Sequence, residues 1–266
     1  MIGYLRYFKV SMIAGLQYKI SAFSGLLTQF FWGLMYVFIY KAFYSYTAID
    51  SINYSELMCY VWLNQSFMTL IFLNSKDAEI MESIRKGTVS YELCRPYDLY
   101  WWWFIKLISK RYAKVLLRFI PVIIFAFLLP KPYNLSLPIS FEAFILFMVT
   151  LLLGSVVVTC INIIISGIAF FTLDDKGIAS IIYNVGSLFS GFAIPLPLLP
   201  NYIWNIAKYL PFRYIGDLSF RVYSGNIGIS SAISSVMMQL IWIVGLVIIG
   251  KILFNIALRK LSVQGG

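Results

Sequence analysis

Six long apolar runs dominate the 266-residue sequence and limit what it can fold into. A helix that crosses a bilayer needs roughly 20 consecutive, mostly apolar residues. Hydrophobic residues make up 61% of the chain and charged residues only 12%, outside the usual range of soluble domains. The sequence therefore predicts an all-α, polytopic membrane protein with six transmembrane helices, formed by residues 22–43, 56–74, 112–129, 141–171, 177–199 and 232–258.

The same composition excludes several other classes of protein. Six spans and their loops would use the whole chain, so we expect residues 1–266 to form one transmembrane domain without catalytic residues. The net charge is +10, but the basic residues lie at the ends of the apolar runs, which indicates membrane topology rather than nucleic-acid binding. The sequence has no histidine and only three scattered cysteines, which predicts neither a metal site nor a disulfide framework.

The distribution of lysine and arginine predicts the orientation. With both termini on one side of the membrane, that side carries sixteen of the 21 basic residues, nine of them between Lys76 and Arg118. Because the cytoplasmic side is enriched in lysine and arginine, both termini and the long polar stretch are predicted to be cytoplasmic. The charged residues of the predicted spans lie near the span ends, and no carboxylate lies deep within a span. This argues against an ion-coupled transporter and for an energy source outside the membrane.

The polar segment, residues 76–111, contains a short amphipathic helix. Acidic residues begin it and basic residues end it, which suits the helix dipole, and a glycine follows at the position favoured for a left-handed C′ residue. A helix of about three turns is too short to cross a bilayer, so its apolar face needs a protein groove or the membrane surface. Its candidate interaction residues are Glu79, Ile80, Met81, Ile84, Arg85 and Gly87.

Two further segments are irregular. Residues 1–21 interleave apolar positions with basic residues, which predicts an interfacial helix; the alternative is a ragged start to the first span. In the hairpin segment, residues 195–231, four prolines interrupt a stretch that is too apolar for a loop in water. A re-entrant helical hairpin on the outer side satisfies both facts, and a loop folded over the top of the bundle is the alternative.

Polar side chains inside the second and fifth runs are candidates for a substrate pathway: Asn64, Gln65, Thr69, Asn184 and Ser187. In the fifth run, Ser180, Asn184, Ser187 and Gly191 recur at steps of 4, 3 and 4, which places them on one face of a helix. Such a stripe can be a helix-packing face, a path or a subunit seam, and these interpretations stay open.

The order of these features resembles the ABC-2 type permeases, the membrane subunits of bacterial ABC exporters. Residues 79–96, EIMESIRKGTVSYELCRP, are similar to the family's "I…G…Y.L.RP" stretch, especially in the branch with one ATPase gene and two permease genes. Residues 212–225 and the ending 263–266 are also similar to family segments. The resemblance covers essentially the whole chain.

The resemblance implies a mechanism and partners. The short polar helix would be a coupling helix seated in a groove of a cytoplasmic ABC ATPase, present in two copies that bind ATP and magnesium; this chain itself would hold no cofactor. A second permease, a sister subunit or an identical copy, would complete a dimer in the bacterial cytoplasmic membrane. Spans two and five would line the path, and the hairpin segment would be an exit gate.

These expectations together predict an ATP-driven efflux permease for an amphipathic or hydrophobic compound, such as a peptide antibiotic, a drug or a lipid-like molecule. Two alternatives come from other classes. One is a secondary transporter or channel that works without ATP, and the other is a membrane scaffold.

Overall fold

The structure is a computed structural model that describes residues 2–17, 19–46, 50–74, 77–172 and 176–259. Residue 76 of the polar segment and the ending 263–266 lie outside these ranges. In the described part of the chain every regular element is helical, as the sequence predicts. The α-helices are α1 Ile2–Leu16, α2 Lys19–Tyr46, α3 Tyr54–Ile71, α4 Ala78–Arg85, α5 Val89–Leu93, α6 Leu99–Leu128, α7 Phe141–Thr172, α8 Lys176–Phe189, α9 Asn201–Ala207, α10 Asp217–Ser224 and α11 Ile229–Arg259.

The long helices run in alternate directions, so the bundle has two ends. At one end, the chain between α2 and α3 touches the hairpin segment, where Ser51 Oγ donates to the carbonyl of Pro197 (2.6 Å). At the opposite end, Lys251 of α11 pairs with Asp98, just before α6 (3.7 Å). We call the first the hairpin end and the second the polar end, because it carries α4 and α5.

Among the residues that the structure describes, three helices are long and apolar enough to cross a membrane by length and composition: Phe23–Tyr46, Phe141–Thr172 and Ile229–Arg259. They correspond to the first, fourth and sixth apolar runs. α3 has 18 residues, and α6 has 30 residues but carries five basic side chains between Lys106 and Arg118. The six-span count therefore stays a prediction.

The fifth apolar run does not form one helix. α8 ends at Phe189 after 14 residues, whereas the sequence predicts a span over 177–199. Gly191 has a φ of 71°, a left-handed conformation that ends helices, and Pro195 and Pro197 follow. About 20 residues are needed to cross a bilayer, so the helix covers only part of the expected span.

The boundary of the polar segment also differs from the prediction. α6 begins at Leu99, so residues 99–111 belong to this helix and not to a separate coupling region. Charged side chains are tolerated on it because they have partners: buried Arg111 donates to the carbonyls of Leu70 (3.0 Å) and Phe72 (2.9 Å) at the end of α3. Trp103, in the second turn of α6, is fully buried.

The N-terminal helix α1 lies along the first half of α6. Tyr7 stacks on Trp102 with 3.9 Å between ring centroids, and Ser109 Oγ donates to Ser11 Oγ (2.8 Å). Leu5 on its other face is 67% exposed. A helix distinct from α2 is thus present, as predicted, and its apolar outer face is left for lipid or another protein.

The hairpin segment contains four short helices instead of a two-helix hairpin: two 3₁₀ helices, Leu196–Leu198 and Pro211–Tyr214, alternate with α9 and α10. α10 packs against α7 and α3. At Gly154 of α7 a Cβ atom would lie 2.3 Å from the carbonyl oxygen of Ile215, so only glycine admits the hairpin segment this close. α7, which also packs on α11, α6 and α4, is the central helix of the fold.

Candidate functional site

The first candidate site is the α4–α5 region at the polar end. Asp77 caps α4, since its carboxylate accepts from the backbone N–H groups of Glu79 (3.0 Å) and Ile80 (3.3 Å). The helix has eight residues, little more than two turns instead of three. Gly87 follows with a φ of 69°, which confirms the predicted left-handed residue after the helix.

The apolar face of α4 is buried inside this chain. Ile80, Met81 and Ile84 are 1%, 7% and 6% exposed and belong to one apolar cluster with Trp103 and Phe254. This face was expected to sit in a groove of a partner ATPase. That expectation needs correction, because α6, α7 and α11 supply the groove within the same chain.

Two ion pairs clamp the start of α4 onto α6. Lys110 Nζ lies 2.7 Å from Asp77 Oδ2, and Lys106 Nζ lies 2.7 Å from Glu79 Oε2. Burial raises the pKa of Asp77, but the hydrogen bond from Lys110 and the charges of Lys106 and Lys110 outweigh it, so the pKa lies below the ordinary aspartate value. The carboxylate is therefore ionised and holds α4 electrostatically.

The exposed surface of α4 and α5 is polar with one large aromatic residue. Glu82 and Lys86 form an exposed pair (2.5 Å), and Tyr91 of α5 is 74% exposed. α5 is fixed beneath this surface, since Trp103 Nε1 donates to Glu92 Oε2 (2.6 Å). We call this surface the docking face, formed by Glu82, Arg85, Lys86, Thr88 and Tyr91. The sequence analysis missed Tyr91, although its motif includes that tyrosine.

The pathway candidates of α3 point into the protein. Asn64 Nδ2 donates to the carbonyl of Phe192 (3.2 Å), and the backbone carbonyl of Gln65 accepts from Gln29 Nε2 of α2 (3.1 Å). The side-chain oxygens of Asn64 and Gln65, and the hydroxyl of the partly buried Thr69, are buried without a hydrogen-bond partner in the structure. These atoms are free to accept or exchange a polar partner.

The candidates of α8 lie elsewhere. Asn184 is exposed and donates weakly to Ser180 Oγ (3.4 Å), while Ser187 Oγ donates to the carbonyl of Asn184 (3.0 Å). A small cavity is lined by Asn64 and Gln65 but by neither Asn184 nor Ser187. This cavity thus does not bring the two predicted groups together.

A groove of about 760 Å³ opens at the hairpin end between α2 and residues 193–201. Tyr36 and Tyr40 line both this groove and the small cavity beside Asn64. Sequence reasoning missed the two tyrosines. Their spacing on α2 was a signal, since residues four apart share a helix face, but nothing in the sequence indicated that the hairpin segment would fold over them.

A buried charge cluster ties the hairpin segment to the bundle. Asp217 is fully buried and accepts from the hydroxyl of Tyr60 on α3 (3.2 Å) and from Arg221 Nη1 (3.5 Å). The guanidinium groups of Arg213 and Arg221 lie 4.5 and 4.7 Å from the ring centroid of Trp204. Asp217 was not among the predicted site residues.

In the described ranges, no group of three or more His, Cys, Asp or Glu side chains could hold a metal ion.

The family described as ABC-2 family transporter protein matches residues 11–265. The chain belongs to this ABC-2 family. A comparison with curated proteins found no match.

Membership in the ABC-2 family has coarse consequences for function. ABC-2 permeases are the transmembrane components of ABC transporters, generally not catalytic themselves, and they associate with an ABC ATPase. This ABC-2 protein is therefore a membrane protein of the permease type. The residues that perform coupling and transport in it are a matter of proposal.

Proposed function

We propose that the protein is the permease subunit of an ATP-driven exporter that moves an amphipathic or hydrophobic compound across the bacterial cytoplasmic membrane. The observation that carries the proposal is the clamped α4–α5 region. Its docking face is exposed, whereas its inner face is buried against α6, α7 and α11. A surface of this kind transmits force from a partner to the bundle.

The route of transmission follows from the packing. Ile80 and Ile84 share one apolar cluster with Ile163 of α7, and close-packed side chains transmit displacement because they leave few voids. α7 then meets the hairpin segment at Gly154. Closure of two ATPase subunits would thus shift the equilibrium between two arrangements of the bundle.

The remaining parts of the proposal concern the assembly. The polar end would face the cytoplasm, and two copies of an ABC ATPase, which bind ATP and magnesium, would contact it there. A second permease, a sister subunit or a copy of this chain, would pair through the exposed face of α8, so that Asn184 and Ser187 meet the partner or the path. Asn64, Gln65 and Thr69 would then offer polar groups from α3 to the substrate.

A pull-down experiment tests whether an ABC ATPase binds at the docking face. The tagged protein is extracted from membranes in mild detergent and its partners are identified by mass spectrometry. We expect an ABC ATPase in the eluate, reduced about tenfold or more by Tyr91→Ala, since exposed aromatic residues are common anchors of interfaces. Tyr202→Ala is the matched control, because Tyr202 is 68% exposed at the hairpin end.

The outcomes separate the alternatives. If no ATPase is recovered from membranes in which one is expressed, the exporter proposal fails and a secondary transporter or a scaffold replaces it. If the ATPase is recovered equally with Tyr91→Ala, the association stands and the docking face is wrongly placed. A second six-span protein in the eluate would identify the sister permease.

A further inference from the structure

We propose that the groove at the hairpin end binds an amphipathic cation, with its apolar body between α2 and residues 193–201 and its positive group at Asp50. This inference deepens the proposed function, on which it rests, by naming the substrate class. The arguments are the size of the groove, the chemistry of its walls and the charge at its edge.

The size of the groove suits a small molecule. Its volume is about 760 Å³, within the range of roughly 300–1,000 Å³ typical of ligand sites. One wall is α2, where Tyr36, Tyr40 and Phe43 recur at helical spacing and therefore share a face. The facing wall is formed by the apolar and proline residues of 193–200, including Ile194 and Leu198. Two apolar walls favour a hydrocarbon or aromatic body.

The charged residue that lines the groove favours one sign of ligand charge. Asp50 is the one charged residue among the described residues that line it, and it is exposed. The neighbouring Ser51 donates to Pro197 O (2.6 Å), which holds the edge of the groove against the facing wall. A carboxylate at the edge attracts a cation and repels an anion, and tyrosine ring faces also favour cations.

The groove also leads toward the predicted pathway. Tyr36, Tyr40 and Ala193 line both the groove and the small cavity that Asn64 and Gln65 line. The Asn64 and Gln65 side-chain oxygens are buried without partners, and they are acceptors, which again suit a ligand that carries donors or positive charge. A cation is thus favoured both in the groove, by Asp50, and in the small cavity, by the side-chain oxygens of Asn64 and Gln65.

Binding of tetraphenylphosphonium tests the inference, with tetraphenylborate as an anion of the same shape. The full-length protein is placed in nanodiscs of uncharged lipid, and binding is measured by equilibrium dialysis against empty nanodiscs. We expect saturable binding of the cation that the anion does not displace. Asp50→Asn should weaken it about tenfold or more, as expected for loss of a charged partner.

Glu142→Gln is the matched control, since Glu142 is an exposed carboxylate at the start of α7 that does not line the groove. It should bind the cation as the wild type does. Equal binding by the wild type and Asp50→Asn, or equal binding of cation and anion, would overturn the inference. Because no ATPase is needed in this assay, its result is independent of the pull-down, and either proposal can fail alone.

Discussion

Asp77 shows how much one residue can determine at the polar end. Its carboxylate is 3% exposed, and Oδ2 lies 2.7 Å from Lys110 Nζ, while the other oxygen, Oδ1, caps the first turn of α4. The residue thus combines a local helix signal with a contact to α6, 33 residues away. Removing the charge and removing the cap are separable changes, because asparagine caps helices nearly as well as aspartate.

We expect Asp77→Asn to lower the thermal stability of the purified protein, since the charge that pairs with Lys106 and Lys110 is lost. Asp77→Ala should cost about 1 kcal/mol more, because the cap is lost as well. Thermal unfolding in detergent measures both variants. Asp98→Asn is the control, since Asp98 caps α6 but its side chain is 49% exposed.

The same comparison has a defined pH dependence. The folded pKa of Asp77 lies below its unfolded value, so its contribution is complete above about pH 4 and is lost as the pH falls through the folded pKa. The stability difference between the wild type and Asp77→Asn should therefore shrink with acid. A difference that stays constant or grows below pH 4 would contradict the role of the ionised carboxylate.

Among the elements, α4 illustrates that an amphipathic helix has two faces with different functions. Its apolar face completes the core of the chain, and its polar face forms the docking face. A change such as Ile80→Asp combined with Ile84→Asp therefore disturbs folding before it disturbs any contact with an ATPase. Only substitutions on the exposed face report on docking.

The two faces of α4 predict very different effects of substitution on stability at Ile84 and Glu82. Ile84→Ala should destabilise the protein by about 2–5 kcal/mol, as expected for a truncated core side chain, since Ile84 is 6% exposed. Glu82→Gln should leave stability nearly unchanged, because an exposed ion pair contributes little to folding. Thermal unfolding of both variants is the measurement, and equal effects would show that α4 is not packed as described.

The position of α4 could be predicted from local signals in the sequence. The acidic start, the basic end and Gly87 placed the helix correctly, because capping depends on residues within one turn. The residues that cover its apolar face could not be predicted, because Ile163 and Phe254 are 79 and 170 residues beyond Ile84 in the sequence. The sequence thus predicted that a groove is needed but not which protein supplies it.

The end of α8 within the fifth apolar run was not predicted for a related reason. Hydropathy measures whether residues 177–199 prefer an apolar environment, and both a helix and irregular chain buried in protein satisfy that preference. Gly191, Pro195 and Pro197 were the signals that the helix stops. For the groove, Tyr36 and Tyr40 were visible as a helix face, but its other wall depends on how the hairpin segment folds.

Across the whole molecule, α7 connects the two ends. Near the polar end it packs against α4 and Phe254, and near the hairpin end Gly154 touches the backbone of Ile215. A rigid helix with contacts at both ends is a physical route from the docking face to the hairpin segment. The route is continuous in packing, whereas its use in transport is a proposal.

Gly154→Ala tests the contact between α7 and the hairpin segment, because the added Cβ would lie 2.3 Å from Ile215 O and the backbone there must move. We expect faster hydrogen exchange in residues 211–224 with unchanged exchange in 78–93, measured by mass spectrometry. Gly245→Ala on α11 is the control, since a Cβ there meets nothing within 4 Å. Unchanged exchange in 211–224 would remove Gly154 from the route.

The short helix α8 has a consequence for the side chains opposite its end. At 14 residues it is about 21 Å long, roughly two thirds of a hydrocarbon core about 30 Å thick. Beyond it, the carbonyls of Gly191 and Phe192 accept from Tyr60 (3.1 Å) and Asn64 (3.2 Å). Lipid tails offer no hydrogen-bond donors. Tyr60 and Asn64 therefore supply the donors that water would otherwise supply to the backbone carbonyls beyond the end of α8.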